Sequence, residues 1–206
     1  MSIRRLLLCP LFVAASVGAA QAGTIWDESL AGDLSSVGAS PTPLALTLGS
    51  NIVRGVTGRS NGVVDRDYFS FTVQPGWQLD TLTLMAPFTA GVGFIGVQAG
   101  PQVTVNPTGN SPAGLLGWVH FSQNDTNTDI LGLMGIGFGA SGYATPLPSG
   151  VYSFWVQDTA TGSTAYNFDF GVSAVPEPTT TAFLLAGLAA LGVLTGARRN
   201  STLRRR

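Results

Sequence analysis

The chain has 206 residues, 45% of them hydrophobic and only 10% charged, with 27 glycines and 12 prolines. That balance excludes a disordered chain, which needs low hydrophobicity and high charge, and a coiled coil, which needs abundant Glu, Lys and Leu. All ten basic residues are Arg; between positions 23 and 174 only Arg54, Arg59 and Arg66 oppose ten acids, a net of −7 that excludes a nucleic-acid-binding face.

Residues 1–22 read as a cleavable secretory signal. Arg4 and Arg5 form a positive n-region, Leu6 to Ala15 an apolar core, and Ala20-Gln21-Ala22 a small-residue site that places the cut between Ala22 and Gly23. Signal peptidase is the implied processing partner. Cys9, the one cysteine, leaves with this segment, so the body carries neither a disulfide nor a thiolate nucleophile.

Residues 23–174 form one domain, long enough for a hydrophobic core. Alternation with a period of two dominates it. Phe69, Phe71 and Val73 alternate with Ser70 and Thr72; Leu82 and Leu84 with Thr81 and Thr83; Tyr152, Phe154 and Val156 with Ser153, Trp155 and Gln157; Tyr166, Phe168, Phe170 and Val172 with Asn167, Asp169 and Gly171. Phe94 to Val97 and Leu115 to Phe121 are apolar enough to be central strands. Asn61-Gly62, Pro75-Gly76, Asn106-Pro107, Pro148-Ser149-Gly150 and Thr161-Gly162 punctuate the runs as turns. No amphipathic helix pattern occurs, and the Gly-interrupted stretch from Leu131 to Ala140 reads as strand or irregular. The expectation is all-β, an antiparallel jelly-roll-like β-sandwich.

The residues give little purchase for catalysis. His120 is the single histidine, and no G-x-S-x-G elbow accompanies it to supply a nucleophile. One His without Cys falls far short of a zinc ligand set. Asp125, Asn127 and Asp129 have the spacing that opens an EF-hand loop, but Ile130 and Ile136 stand where that loop needs Gly and Glu. Alternation turns Trp155 away from Phe154 and Val156, which leaves two readings: an outward ring that stacks on a sugar, or a ring buried under the long 86–145 region. The expectation is a protein that is not an enzyme.

At the far end, Pro176-Glu177-Pro178 is followed by Thr179-Thr180-Thr181, an uncharged apolar run to Ala197, and Arg198-Arg199. The stretch of about 179–197, at about 1.5 Å rise per residue, spans roughly 28 Å, one hydrocarbon core. The Arg cluster keeps its own side cytoplasmic and places the body on the other side. In this order these parts resemble the PEP-CTERM sorting signal of Gram-negative bacteria, here residues 175–206. That resemblance implies an inner-membrane intermediate with a periplasmic body, exosortase as a second processing partner, and a destination at the cell surface or outside the cell, in many members beside exopolysaccharide and biofilm.

A second resemblance lies in the body. Asp65-Arg66-Asp67-Tyr68-Phe69-Ser70-Phe71-Thr72-Val73, and Leu147-Pro148-Ser149-Gly150-Val151-Tyr152 with the run to Phe170, are similar to the opening stretch and closing hairpin of bacterial pre-peptidase C-terminal domains. It implies one calcium ion as cofactor, held by an acidic N-terminal segment and the acidic strand start, here Asp27, Glu28, Asp33, Asp65 and Asp67. The alternative is that both acidic groups are solvated turns. Together these readings give an exported, structural or adhesive β-sandwich, with a carbohydrate-binding module and a secreted hydrolase as rivals.

Overall fold

A computed structural model describes residues 23–86, 91–109, 111–175 and 187–188. The signal segment with Ala22, the membrane-spanning expectation, and Pro176, Glu177, Pro178, Arg198 and Arg199 lie outside the described residues, among which no helix is long and apolar enough to cross a membrane.

The chain order is β1 (Gly23–Asp27), α1 (Glu28–Ala31), β2 (Thr42–Leu44), β3 (Gly49–Ser60), β4 (Val63–Val73), β5 (Trp77–Leu84), β6 (Val92–Ala99), β7 (Gly117–Ser122), α2 (Leu131–Gly135), β8 (Gly150–Gln157) and β9 (Gly162–Ala174). The all-β expectation holds. The strands form one sheet in the order β5-β9-β3-β4-β8-β6-β7, with β1 parallel to β3 and β2 parallel to β4 at its sides. Asn61 and Gly62 both take positive φ, which matches the twist of a two-residue hairpin and turns β3 into β4.

That hairpin is the corner of the fold. β3 and β4 pair only over residues 58–60 and 63–65, then part: β3 continues along β9, β4 along β8. The two halves face one another across an aromatic core. Phe170 of β9 meets Phe69 and Phe71 of β4 and Phe154 of β8 edge-on, with ring centroids 5.1–5.8 Å apart, and Phe168 meets Phe121 of β7 at 5.1 Å. The period-two pattern dictates this, because it sends every second side chain of each strand to the inner face.

Three local expectations need correction, and one strand goes unread. The run from Leu147 to Phe170 is not a hairpin: β8 pairs with β4 and β6, β9 with β3 and β5, so the chain crosses between the halves. β7 is an edge strand, bonded on one side to β6, although its composition reads as central. The stretch after Ile130 opens with a single helical turn, α2, which buries Leu131 and Met134. And β3, one of the longest strands, escapes the alternation reading because its inward positions include Asn51 and Gly55. Gly55 has a packing reason: a Cβ there would strike the Tyr166 ring across the ladder.

Candidate cation site at the β3–β4 fork

On β4, Asp65 and Asp67 share a face with Phe69, Phe71 and Val73, so alternation aims both carboxylates inward. At Asp67 the outer ladder is interrupted, since β3 has just left and β2 joins only from Phe69. Asp67 is 0% exposed, and neither carboxylate oxygen has a hydrogen-bond partner. A buried carboxylate without a donor is among the costliest arrangements in a protein interior.

The N-terminal segment brings the other acids. β1 pairs with β3 as far as Arg54, and α1 begins at once. Glu28 bridges the gap in the β3 edge: its Oε2 accepts from Val56 N at 2.7 Å and its Oε1 from Leu34 N at 3.1 Å. Tyr68 N donates to Ser35 O at 2.8 Å, which holds the chain after α1 against β4. As a result Glu28, Asp33 and Asp67 each offer an oxygen within 4.8 Å of the others, Glu28 part-buried, Asp33 exposed and Asp67 buried.

Electrostatics follow from this crowding. Burial, then the charge of Glu28, pushes the Asp67 carboxyl up to about 9. Burial pushes Glu28 up to about 7, against two backbone N–H groups that pull it down. Asp65 is raised by burial and by Asp33. Tyr166 lies beside Asp67, close enough for each to raise or lower the other's ionisation, yet neither closes a hydrogen bond of good geometry, and burial lifts the phenol well above its ordinary value. No arginine relieves the cluster: the one ion pair among the described residues joins Arg54 to Asp27 at 3.6 Å, and Arg66 bonds Gln157.

Of the five acids expected to act together, three converge, Asp65 stands at their margin, and Asp27 is employed elsewhere. Its Oδ1 caps α1, accepting from Ser29 N at 3.1 Å and Ser29 Oγ at 2.6 Å, while Oδ2 faces Arg54. Asp125 and Asp129 serve the backbone as well. Asp125 accepts from Ser122 N at 2.7 Å, and Asp129 from Leu82 N and Leu131 N at 2.9 and 3.0 Å. Tyr166 is the participant that sequence reasoning missed; its inward register beside Asp67 shows only once β3, β4 and β9 are assembled.

The aromatic expectation resolves toward burial. Trp155 is 5% exposed, packed between Tyr68 and Phe94. Trp118, by contrast, is part-exposed beside the exposed His120. His120 has ring contacts with Phe94 and Trp118 and one polar neighbour, Gly93 O at 3.4 Å. Trp77 packs against the core from β5.

Residues 174–200 match the family model of the PEP-CTERM protein-sorting motif. No match is found among curated proteins. The motif marks an exosortase-sorted protein, exported and routed through the membrane toward the cell surface.

Proposed function

We propose that the body is a non-enzymatic, jelly-roll-like β-sandwich, stabilised by one calcium ion at Glu28, Asp33 and Asp67, that serves a structural or adhesive role at the cell surface or in extracellular matrix such as biofilm exopolysaccharide. The observation that carries the cation site is Asp67: a fully buried carboxylate with two unpartnered oxygens, facing two more carboxylates and no cationic side chain. A divalent ion would supply the partner that Asp67 lacks and offset the charge of Glu28 and Asp33 beside it. The donors are all oxygen and come from two chain segments, which suits the loose six-to-eight-oxygen shell of calcium better than the rigid octahedron of magnesium. Asp65 would add charge from the margin without a direct bond.

The pre-peptidase resemblance supports the same reading, since the Asp65–Val73 run lies within β4 and the acidic N-terminal segment brings Glu28 and Asp33 to Asp67 near its start. The non-enzymatic reading rests on the surroundings of His120, which meets rings and a carbonyl where a catalytic base would meet a nucleophile and an orienting carboxylate. Signal peptidase and exosortase act on the ends, with a transient stay in the inner membrane; the body acts after release.

Isothermal titration with calcium chloride tests the site. One ion per chain, with magnesium at least tenfold weaker, is expected; absence of heat together with a melting temperature indifferent to chelator would sink the reading.

A further inference from the structure

A second feature lies on the opposite face of β4, β8, β6 and β7, and shares no residue with the acidic cluster. Two cross-strand rows form there. Tyr68, Trp155, Gly96 and Trp118 are successive register partners, and beside them run Arg66, Gln157, Phe94 and His120. Gly96 leaves a gap in the first row, and the Phe94 ring occupies it: a Cβ at Gly96 would come within 3.1–3.2 Å of that ring. The result is a continuous aromatic floor. Trp155 and Phe94 are 4.7 Å apart between ring centroids, and Phe94 and Trp118 are 5.9 Å apart and stacked.

The chain after β6 folds back over the buried end of this floor, where Val103 and Val105 pack on Tyr68 and Trp155. The end at Trp118 and His120 stays open. Between loop and floor lies a groove of about 310 Å³, lined by Phe94, Trp118 and Trp155 below and by Asn106, His120 and Gln157 among its polar groups. The Trp118 ring is held in place by its N–H, which donates to Phe138 O at 3.0 Å. The Trp155 indole N–H, at the floor, is buried without an acceptor.

We infer that this groove binds a neutral saccharide, one or two pyranose units of a longer glycan. The lining offers flat aromatic faces, amides, an imidazole and a hydroxyl from Ser111, with neither carboxylate nor guanidinium among its side chains. A pyranose matches that set, because its C–H face is apolar and packs on the ring face while its rim of hydroxyls both donates and accepts. The volume is at the small end for a ligand pocket and admits a short stretch, not a folded partner. The body's net charge of −7 disfavours acidic glycans. Strands lie about 4.8 Å apart, so a glycan laid across them meets one aromatic position per strand. The inference rests on the adhesive reading and gives it a ligand.

The test is titration of the full chain, in an amine-oxide detergent that carries no sugar headgroup, with cellohexaose, xylohexaose, mannohexaose and a proline-rich decapeptide. Binding is read by calorimetry and tryptophan fluorescence, with calcium and with chelator. At least one hexasaccharide should bind. Trp118→Ala should weaken it tenfold or more, and His120→Ala, at an exposed position outside the hydrophobic core, by three- to tenfold. Trp77→Phe, on the other half, should leave it unchanged. Loss of calcium binding with saccharide binding intact would separate this site from the cation site. The inference is overturned if no hexasaccharide binds, if the peptide alone binds, or if saccharide binding survives both groove substitutions.

Discussion

Asp67 and Tyr166 come together from β4 and β9 at the point where the sheet forks, and both end in polar atoms closed to solvent and without a hydrogen bond of good geometry. A carboxylate and a phenol this close, with no well-aligned hydrogen bond between them, leave the Asp67 oxygens able to face a cation beside Glu28 and Asp33. This relationship governs the first two predictions.

Asp67→Asn separates a cation site from a merely strained one. In chelator the variant should be at least as stable as the wild type, because the buried ionisable group is gone. In calcium it should lose the stabilisation that the wild type gains. At a calcium concentration 100 times the dissociation constant that gain is about 2.7 kcal/mol, or roughly 5–11 °C in melting temperature for a chain of this size. Differential scanning calorimetry of both proteins, with and without chelator, reads it out; equal calcium shifts in the two would exclude Asp67 as a ligand.

The pH dependence has a definite sign. Asp67 is pushed up to about 9 and Glu28 to about 7, each by burial first. Both lie above the values of about 4 that these groups have in an unfolded chain. The metal-free folded state therefore binds more protons than the unfolded one through this window, and its stability falls as pH rises from about 4 towards 9. Calcium requires the deprotonated carboxylates, so its effect grows over the same range. The gap in melting temperature between calcium and chelator should be small at pH 5 and larger at pH 8; a gap that narrows with rising pH would contradict the assignment.

Asp129→Ala tests the loop whose spacing imitates an EF-hand. Asp129 accepts from Leu82 N and Leu131 N, so its loss leaves two backbone donors short and should cost about 2 kcal/mol. The calcium titration should not change. A calcium affinity reduced by this substitution would move the cation site to that loop.

Gly55→Ala addresses the packing that seats Tyr166. The added Cβ would meet the Tyr166 ring and hydroxyl inside a filled core, and such overpacking typically costs about 1–3 kcal/mol. Urea unfolding should show the midpoint falling with little change in slope. A neutral result would mean that the Tyr166 ring moves freely at the fork.

Processing is checked by mass spectrometry of extracellular material. The mature N-terminus is expected at Gly23, with the apolar tail lost near residues 176–181. Replacing Arg198 and Arg199 with Glu should disturb membrane retention of the precursor, because the cytoplasmic charge bias is removed. Full-length chain ending at Arg206 in the medium would contradict the route.

Local order in the sequence determined a good part of this molecule. Alternation along β4, β8 and β9 set which side chains face inward, and since Asp65 and Asp67 keep step with Phe69 and Phe71, the sequence alone already turned two carboxylates toward the core. The sorting motif, likewise, is a matter of consecutive residues and was legible as such. What meets those carboxylates was not. Glu28 and Asp33 reach Asp67 through a parallel β1–β3 pairing and a gap in the β3 edge, and parallel register leaves no mark in either strand's own pattern. β3 hid for a related reason: Asn51 and Gly55 occupy inward positions because of partners across the ladder, Phe170 and Tyr166, that lie over a hundred residues away. The aromatic floor is the clearest case. Tyr68, Phe94, Trp118 and Trp155 sit on four strands scattered between residues 63 and 157, and only the hydrogen-bond register between those strands places them in adjoining positions on one face. Side-chain direction follows from the strand's own period of two, whereas neighbours across a sheet follow from pairings that the chain selects when its whole core closes.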